Sequence, residues 1–172
     1  MDIVLIFSII ILIICCIKFY EGFSKEIIYV KSNIDQREYL VQNLPNKQEA
    51  ADMLAKLRRK LIRFTQDIYE KHPTDEVKRL KKKYKPNNLT ESTNDSKYTS
   101  YNINKGDKIV FCIRERDKTN NLVNENTIFF VALHELAHIM TKSVGHKREF
   151  WDNFRFLLKF AIENNYYYYE PY

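Results

Sequence analysis

Glycine is scarce in this chain, with 3 copies in 172 residues. So little of it excludes long flexible linkers, and a chain of this length can bury a real core as one domain. Cysteine is equally scarce. Its three copies are scattered, Cys15 and Cys16 in an apolar run and Cys112 in an expected strand. That odd set excludes a disulfide framework and a C-x-x-C metal knuckle, and it favours a reducing compartment for the domain. The net charge of +6 is modest. It suits an acidic partner, an anionic membrane surface or nucleic acid, and selects none of them.

Charge is missing altogether from residues 3–17, which are almost wholly Ile, Leu, Val, Phe and Cys. A cleaved leader would need a basic stretch before this run and a small-x-small site after it, and neither is there. Fifteen helical residues reach roughly 22 Å against a hydrocarbon core of about 30 Å. Counting from Met1 to Tyr20, with Lys18 snorkelling and Phe19-Tyr20 at the interface, makes a workable span. The expectation is an uncleaved transmembrane anchor over 1–20, a juxtamembrane linker over 21–26, and a single-pass membrane protein. Lys18 and Lys25 follow the span while Asp2 precedes it, which favours a cytoplasmic C-terminal domain.

Beyond residue 26 the patterning alternates between strand and helix. Segments 27–32 and 38–42 read as strands joined by a turn at 33–36. Asn46, with Glu49 three residues on, makes a capping box. The stripe Ala50, Met53, Leu57, Leu61, Phe64 and Ile68 predicts a long helix ending at His72-Pro73. Thr74 caps a shorter helix to about Lys83, and residues 86–97 read as a polar loop. A second strand pair covers 98–104 and 108–115, with its turn at 104–107. The later strand is apolar on both faces and so central or covered. Cys112 on it reads as a small buried hydrophobe. The shorter helix carries the densest basic run, Lys78, Arg79, Lys81, Lys82, Lys83 and Lys85. With Arg58, Arg59, Lys60 and Arg63 it forms either a solvated face or a cationic surface for nucleic acid or anionic lipid.

Three of the four histidines lie in one stretch, His134-Glu135-Leu136-Ala137-His138 followed by Gly145-His146. The H-E-x-x-H spacing places both imidazoles on one face of a helix, one turn apart. That helix starts at Asn124 or Thr127 and stops before Gly145. One Zn²⁺ held at roughly 2.0–2.1 Å by His134, His138 and a third ligand would leave a position for water. Glu135 projects differently and can reach a zinc-bound water as general base, then pass the proton to the leaving amine. The third ligand is His146, with Glu149 and Asp152 as competitors. Glu149, three residues beyond His146, looks more like a cap partner. A final helix packs through Phe150, Phe154, Leu157, Leu158 and Ala161, and Phe150-Trp151 read as core aromatics that seat the loop carrying His146. A Tyr-rich tail, 166–172, could offer a hydroxyl to an oxyanion, though packing on the domain is the plainer role.

This motif, with Glu149-Phe150-Trp151, resembles the WLM group of zinc metallopeptidases, related to the SprT-like and YgjP-like zincins. The stretch from Tyr101 to Ile109, with Cys112-Ile113-Arg114 and Asn126-Thr127, is similar to membrane-anchored WLM-like proteins of large DNA viruses. The resemblance covers most of residues 27–165. It implies a compact α+β zincin, with a small twisted sheet above the H-E-x-x-H helix and a C-terminal helix. Its edge strand would bind substrate by β-addition. It implies one Zn²⁺ on His134, His138 and His146, Glu135 as general base, and a protein substrate. The interval between His138 and His146, residues 139–145, is longer than in many members of the group. The expected function is a membrane-anchored zinc-dependent endopeptidase. Its alternative is a zinc-fold structural or virion membrane protein without significant proteolysis, tethered to nucleic acid or anionic membrane by the basic helices.

Overall fold

Hydrophobic periodicity after residue 26 is realised closely in the computed structural model, which describes residues 7, 9–15, 26–93, 100–115, 117 and 119–169. Strands β1 (Ile27–Lys31) and β2 (Glu38–Gln42) pair antiparallel, with Tyr29 opposite Leu40. Helix α1 (Lys47–Lys71) follows and buries Leu54, Leu57, Leu61, Phe64 and Ile68 along one stripe. Met53, expected in that stripe, is only half-buried. The anticipated capping box does not form. Asn46 makes no cap bond; its amide donates to the Asn120 carbonyl and its side-chain oxygen accepts from Arg114. Helix α2 (Asp75–Lys83) begins as predicted, with the Thr74 hydroxyl accepting from the Val77 amide.

The polar stretch read as a loop contains a strand, β3 (Leu89–Glu91). It runs parallel to β5 (Lys108–Phe111), and β4 (Ser100–Ile103) lies antiparallel on the other side of β5. The order β3-β5-β4 makes β5 central, as its apolar faces required, and leaves β4 at an edge. Two small sheets thus replace the single expected one. Side chains join them. The Gln42 backbone amide donates to Glu91 and its side-chain amide to the Ser92 carbonyl, both at 2.8 Å. Glu91 in turn forms a fully buried ion pair with Arg114.

Helices α3 (Glu125–Met140) and α4 (Arg148–Glu163) close the domain. Phe64 of α1 meets Phe129 of α3, Phe160 of α4 and Tyr166 edge-to-face at 5.2–5.7 Å. Each such buried ring contributes roughly 1.5–3 kcal/mol by leaving water, so this cluster locks the three helices. Tyr166 and Tyr167 belong to that packing, and Asn126 exchanges two hydrogen bonds with the backbone of Tyr168.

The expectation of a single-pass membrane protein is overturned. Among the described residues no helix is long and apolar enough to cross a membrane. Residues 7 and 9–15 are helical and exposed. The rest of the 1–20 segment, and of the 21–26 linker all but Glu26, lies outside the described residues, as do residues 170–172 of the tail.

The buried Glu91–Arg114 pair gives a direct test. Arg114→Met leaves Glu91 buried without its partner and should cost about 3–5 kcal/mol in urea unfolding. The double replacement Glu91→Leu with Arg114→Met should recover most of that loss, because neither charge then remains in the interior.

Candidate metal centre

Helix α3 has Asn124 at its N-cap, whose side chain accepts from the Asn126 amide at 2.7 Å. Phe129, Leu133, Leu136 and Met140 bury most of its circumference. It ends at Met140, earlier than the Gly145 break suggested. The Thr141 hydroxyl turns back to the Ala137 carbonyl and also accepts from Asn153 of α4. His134 and His138 emerge one turn apart with their rings 4.9 Å apart. His146 comes to them from the loop, its ring 5.0 Å from His134 and 4.9 Å from His138.

The Nε2 atoms of His134 and His146 lie 3.1 Å apart. Two nitrogens bound to one metal at the tetrahedral angle stand about 3.3 Å apart. One potential ligand atom from each of the three rings falls within 4.8 Å of the others, so the trio could hold a metal ion. Phe150, wholly buried, backs all three imidazoles with ring centroids 4.4–4.8 Å away. Burial lowers the His134 pKa, helped by His146. Burial also pushes His138 down to about 4, with the neighbouring imidazoles and the Lys105 charge adding to it. Both rings are therefore neutral near pH 7, the form that ligates metal. A set of three imidazole donors suits a divalent transition-metal ion.

Glu135 is one residue beyond His134 and so about 100° further round the helix. Only 3% of it is exposed. It lies under β4, where the Asn102 side-chain amide donates both to its backbone carbonyl, at 2.9 Å, and to its carboxylate. Burial pushes its pKa up to about 7, against the opposing effect of that hydrogen bond. A cleft of about 430 Å³ opens over this centre, lined by Ser100, Tyr101, Asn102, Lys105, the three histidines, Glu135 and Ser143–Gly145.

The competing carboxylates are engaged elsewhere. Glu149 accepts from the backbone amides of Lys142 and Ser143, and the first of these bonds lowers its pKa most. Asp152 pairs with Arg148 and Arg155 along α4. Phe150 is the core aromatic expected, whereas Trp151 is 48% exposed and packs beside His146 at 5.8 Å. Tyr166–Tyr169 do not line the cleft; Tyr101 does. Half-buried Cys112 also stands outside the cluster. The basic run is partly spent on internal partners: Lys78 on Asp75, Arg79 on the Met140 carbonyl, Lys81 on Gln66 and Lys85 on Asp107. Asn102 and Lys105 belong to no sequence motif that marks them as site residues. The only hint of them was that both fall within the stretch, Tyr101 to Ile109, that carried the viral resemblance.

A WLM domain model matches residues 33–169. The chain belongs to the WLM domain family. A protein of Acanthamoeba polyphaga mimivirus is 36% identical over 172 aligned residues, covering 93% of this chain and 84% of its own length. A protein of Invertebrate iridescent virus 3 is 37% identical over 68 residues, covering 40% of this chain and 42% of its own length. The WLM relatives thus include proteins of large DNA viruses. Among solved structures, Wss1 from Saccharomyces cerevisiae superposes with a TM-score of 0.55 at 23% identity, over 73% of this chain and 88% of that one. That likeness establishes a shared α+β fold for this WLM domain.

If the three imidazoles act together, adding a divalent transition-metal ion will move the NMR ring resonances of His134, His138 and His146. Those of His72, packed against Phe156 and Phe160 at the end of α1, will stay in place.

Proposed function

We propose that this WLM domain is a zinc-dependent metallopeptidase that hydrolyses peptide bonds in protein substrates. The observation that carries the reading is the convergence of His134, His138 and His146 in one cleft that also holds the buried carboxyl group of Glu135. A buried helix bearing these groups is costly unless each has a partner. Zn²⁺ would be held by the three histidines, and when bound it supplies Lewis acidity that acidifies water and polarises a carbonyl.

The chain's own residues supply the remainder. Glu135 takes a proton from the attacking water as its oxygen adds to the scissile carbonyl carbon. The same carboxyl then gives that proton to the amine nitrogen as the C–N bond breaks. Burial raises the pKa of this carboxyl group, which makes it a better proton acceptor than an exposed glutamate. Asn102 keeps the carboxylate turned toward the cleft. Strand β4, at the edge of its sheet among the described residues, runs along the cleft wall. An extended substrate segment adds to that edge through backbone hydrogen bonds, which brings a peptide bond over the metal centre.

Three substitutions separate metal binding from chemistry. Glu135→Gln should retain one equivalent of zinc and lose about 10²- to 10⁴-fold in protein cleavage. Cleavage at the wild-type rate would refute the assigned base. His146→Ala should weaken zinc retention on dialysis against a chelator, while Asp152→Asn should leave it unchanged.

A further inference from the structure

The long interval between His138 and His146 poses a physical problem. Residues 142–146 are mostly exposed, and Val144 is 80% exposed, so little hydrophobic packing holds the segment that delivers the third imidazole. Hydrogen bonds do so instead. The Lys105 ammonium donates to three successive backbone carbonyls, Thr141 at 2.9 Å, Lys142 at 2.7 Å and Ser143 at 2.9 Å. An ammonium has three N–H donors and no acceptor, so its capacity is matched to these carbonyls. From the other side, Glu149 accepts from the Lys142 amide at 2.9 Å and from the Ser143 amide and hydroxyl at 3.2 and 3.0 Å.

The two charges are placed consistently with the helices they meet. Lys105 sits at the C-terminal end of α3, where carbonyls favour a cation, and Glu149 lies in the first turn of α4, where amides favour an anion. Lys105 reaches this position because the β4–β5 turn docks against the end of α2. A Cβ on Gly106, whose φ is +112°, would stand 2.8 Å from the Lys83 carbonyl oxygen.

We infer that Lys105 and Glu149 are positioning residues that clamp the segment after α3 from both sides and thereby set His146 as the third metal ligand. The inference rests on reading the three histidines as a metal site. Neither clamp residue is proposed to touch the metal. They hold backbone groups whose arrangement decides where the His146 ring can reach. Partners that orient ligands in this way typically change metal affinity by 10- to 100-fold.

The test is a double-mutant cycle on zinc affinity in the full chain, by calorimetry with Zn²⁺ alone. Lys105→Met should weaken binding by about 10- to 100-fold in the wild-type background and have little effect when His146→Ala is already present, because an unliganded loop has nothing left to position. Glu149→Ala should follow the same pattern, and amide hydrogen exchange at residues 142–146 should accelerate in both single variants. An equal loss with and without His146 overturns the inference: for Lys105→Met it would mean general destabilisation, and for Glu149→Ala direct ligation by that carboxylate. Unchanged affinity in Lys105→Met also overturns it while leaving the metal site intact. If the wild-type chain takes up no Zn²⁺, the metal reading itself fails and the clamp with it.

Discussion

A single helix has to be both core and chemistry, and the rest of the domain answers to that demand. Helix α3 buries Phe129, Leu133, Leu136 and Met140, yet it also carries two imidazoles and a carboxyl group. Burying such groups without partners would cost more than most single packing contacts return. The helical period resolves the conflict locally. His134 and His138 share one side, and Glu135 is turned by about 100° toward β4. Each neighbouring element then supplies what that side needs. Helix α4 contributes the Phe150 ring behind the imidazoles. Strand β4 contributes the Asn102 amide, and α1 closes the apolar face through Phe64.

The same demand explains why the two connections around the site are held by polar contacts. The β4–β5 turn and the α3–α4 loop lie at the cleft mouth, where apolar packing would have to be exposed. Lys105 joins the one to the other, and Arg79 of α2 adds a bond to the last carbonyl of α3. A lengthened histidine interval is therefore compatible with convergence of the three rings. The domain belongs to the WLM family and shares its fold with Wss1, and the mimivirus relative aligns over 93% of the chain.

Much of this was legible beforehand because the signals were local. The stripe of α1, the Thr74 and Asn124 caps and the strand pairs depend on residues within a few positions of one another. Strand β3 escaped because it is short and carries Glu91, a residue that looks exposed until Arg114, 23 residues later, neutralises it in the interior. Trp151 was misplaced because an aromatic beside Phe150 looks equally buried in sequence, whereas helix α4 turns it outward. The apolar N-terminal run read as an anchor from its length and its missing charge, yet among the described residues no helix is long and apolar enough to cross a membrane.

By itself, the sequence determined the α3 chemistry: two imidazoles one turn apart and an adjacent carboxyl group, since helical geometry makes that spacing a spatial statement. Only the tertiary structure decided which of His146, Glu149 and Asp152 stands beside them. It also decided that Asn102 and Lys105, 33 and 36 positions from the groups they hold, belong to the same site. The physical reason is that the period of a helix is written in nearest neighbours, whereas a hydrogen bond between a strand turn and a distant loop exists only once both have been packed against the same core.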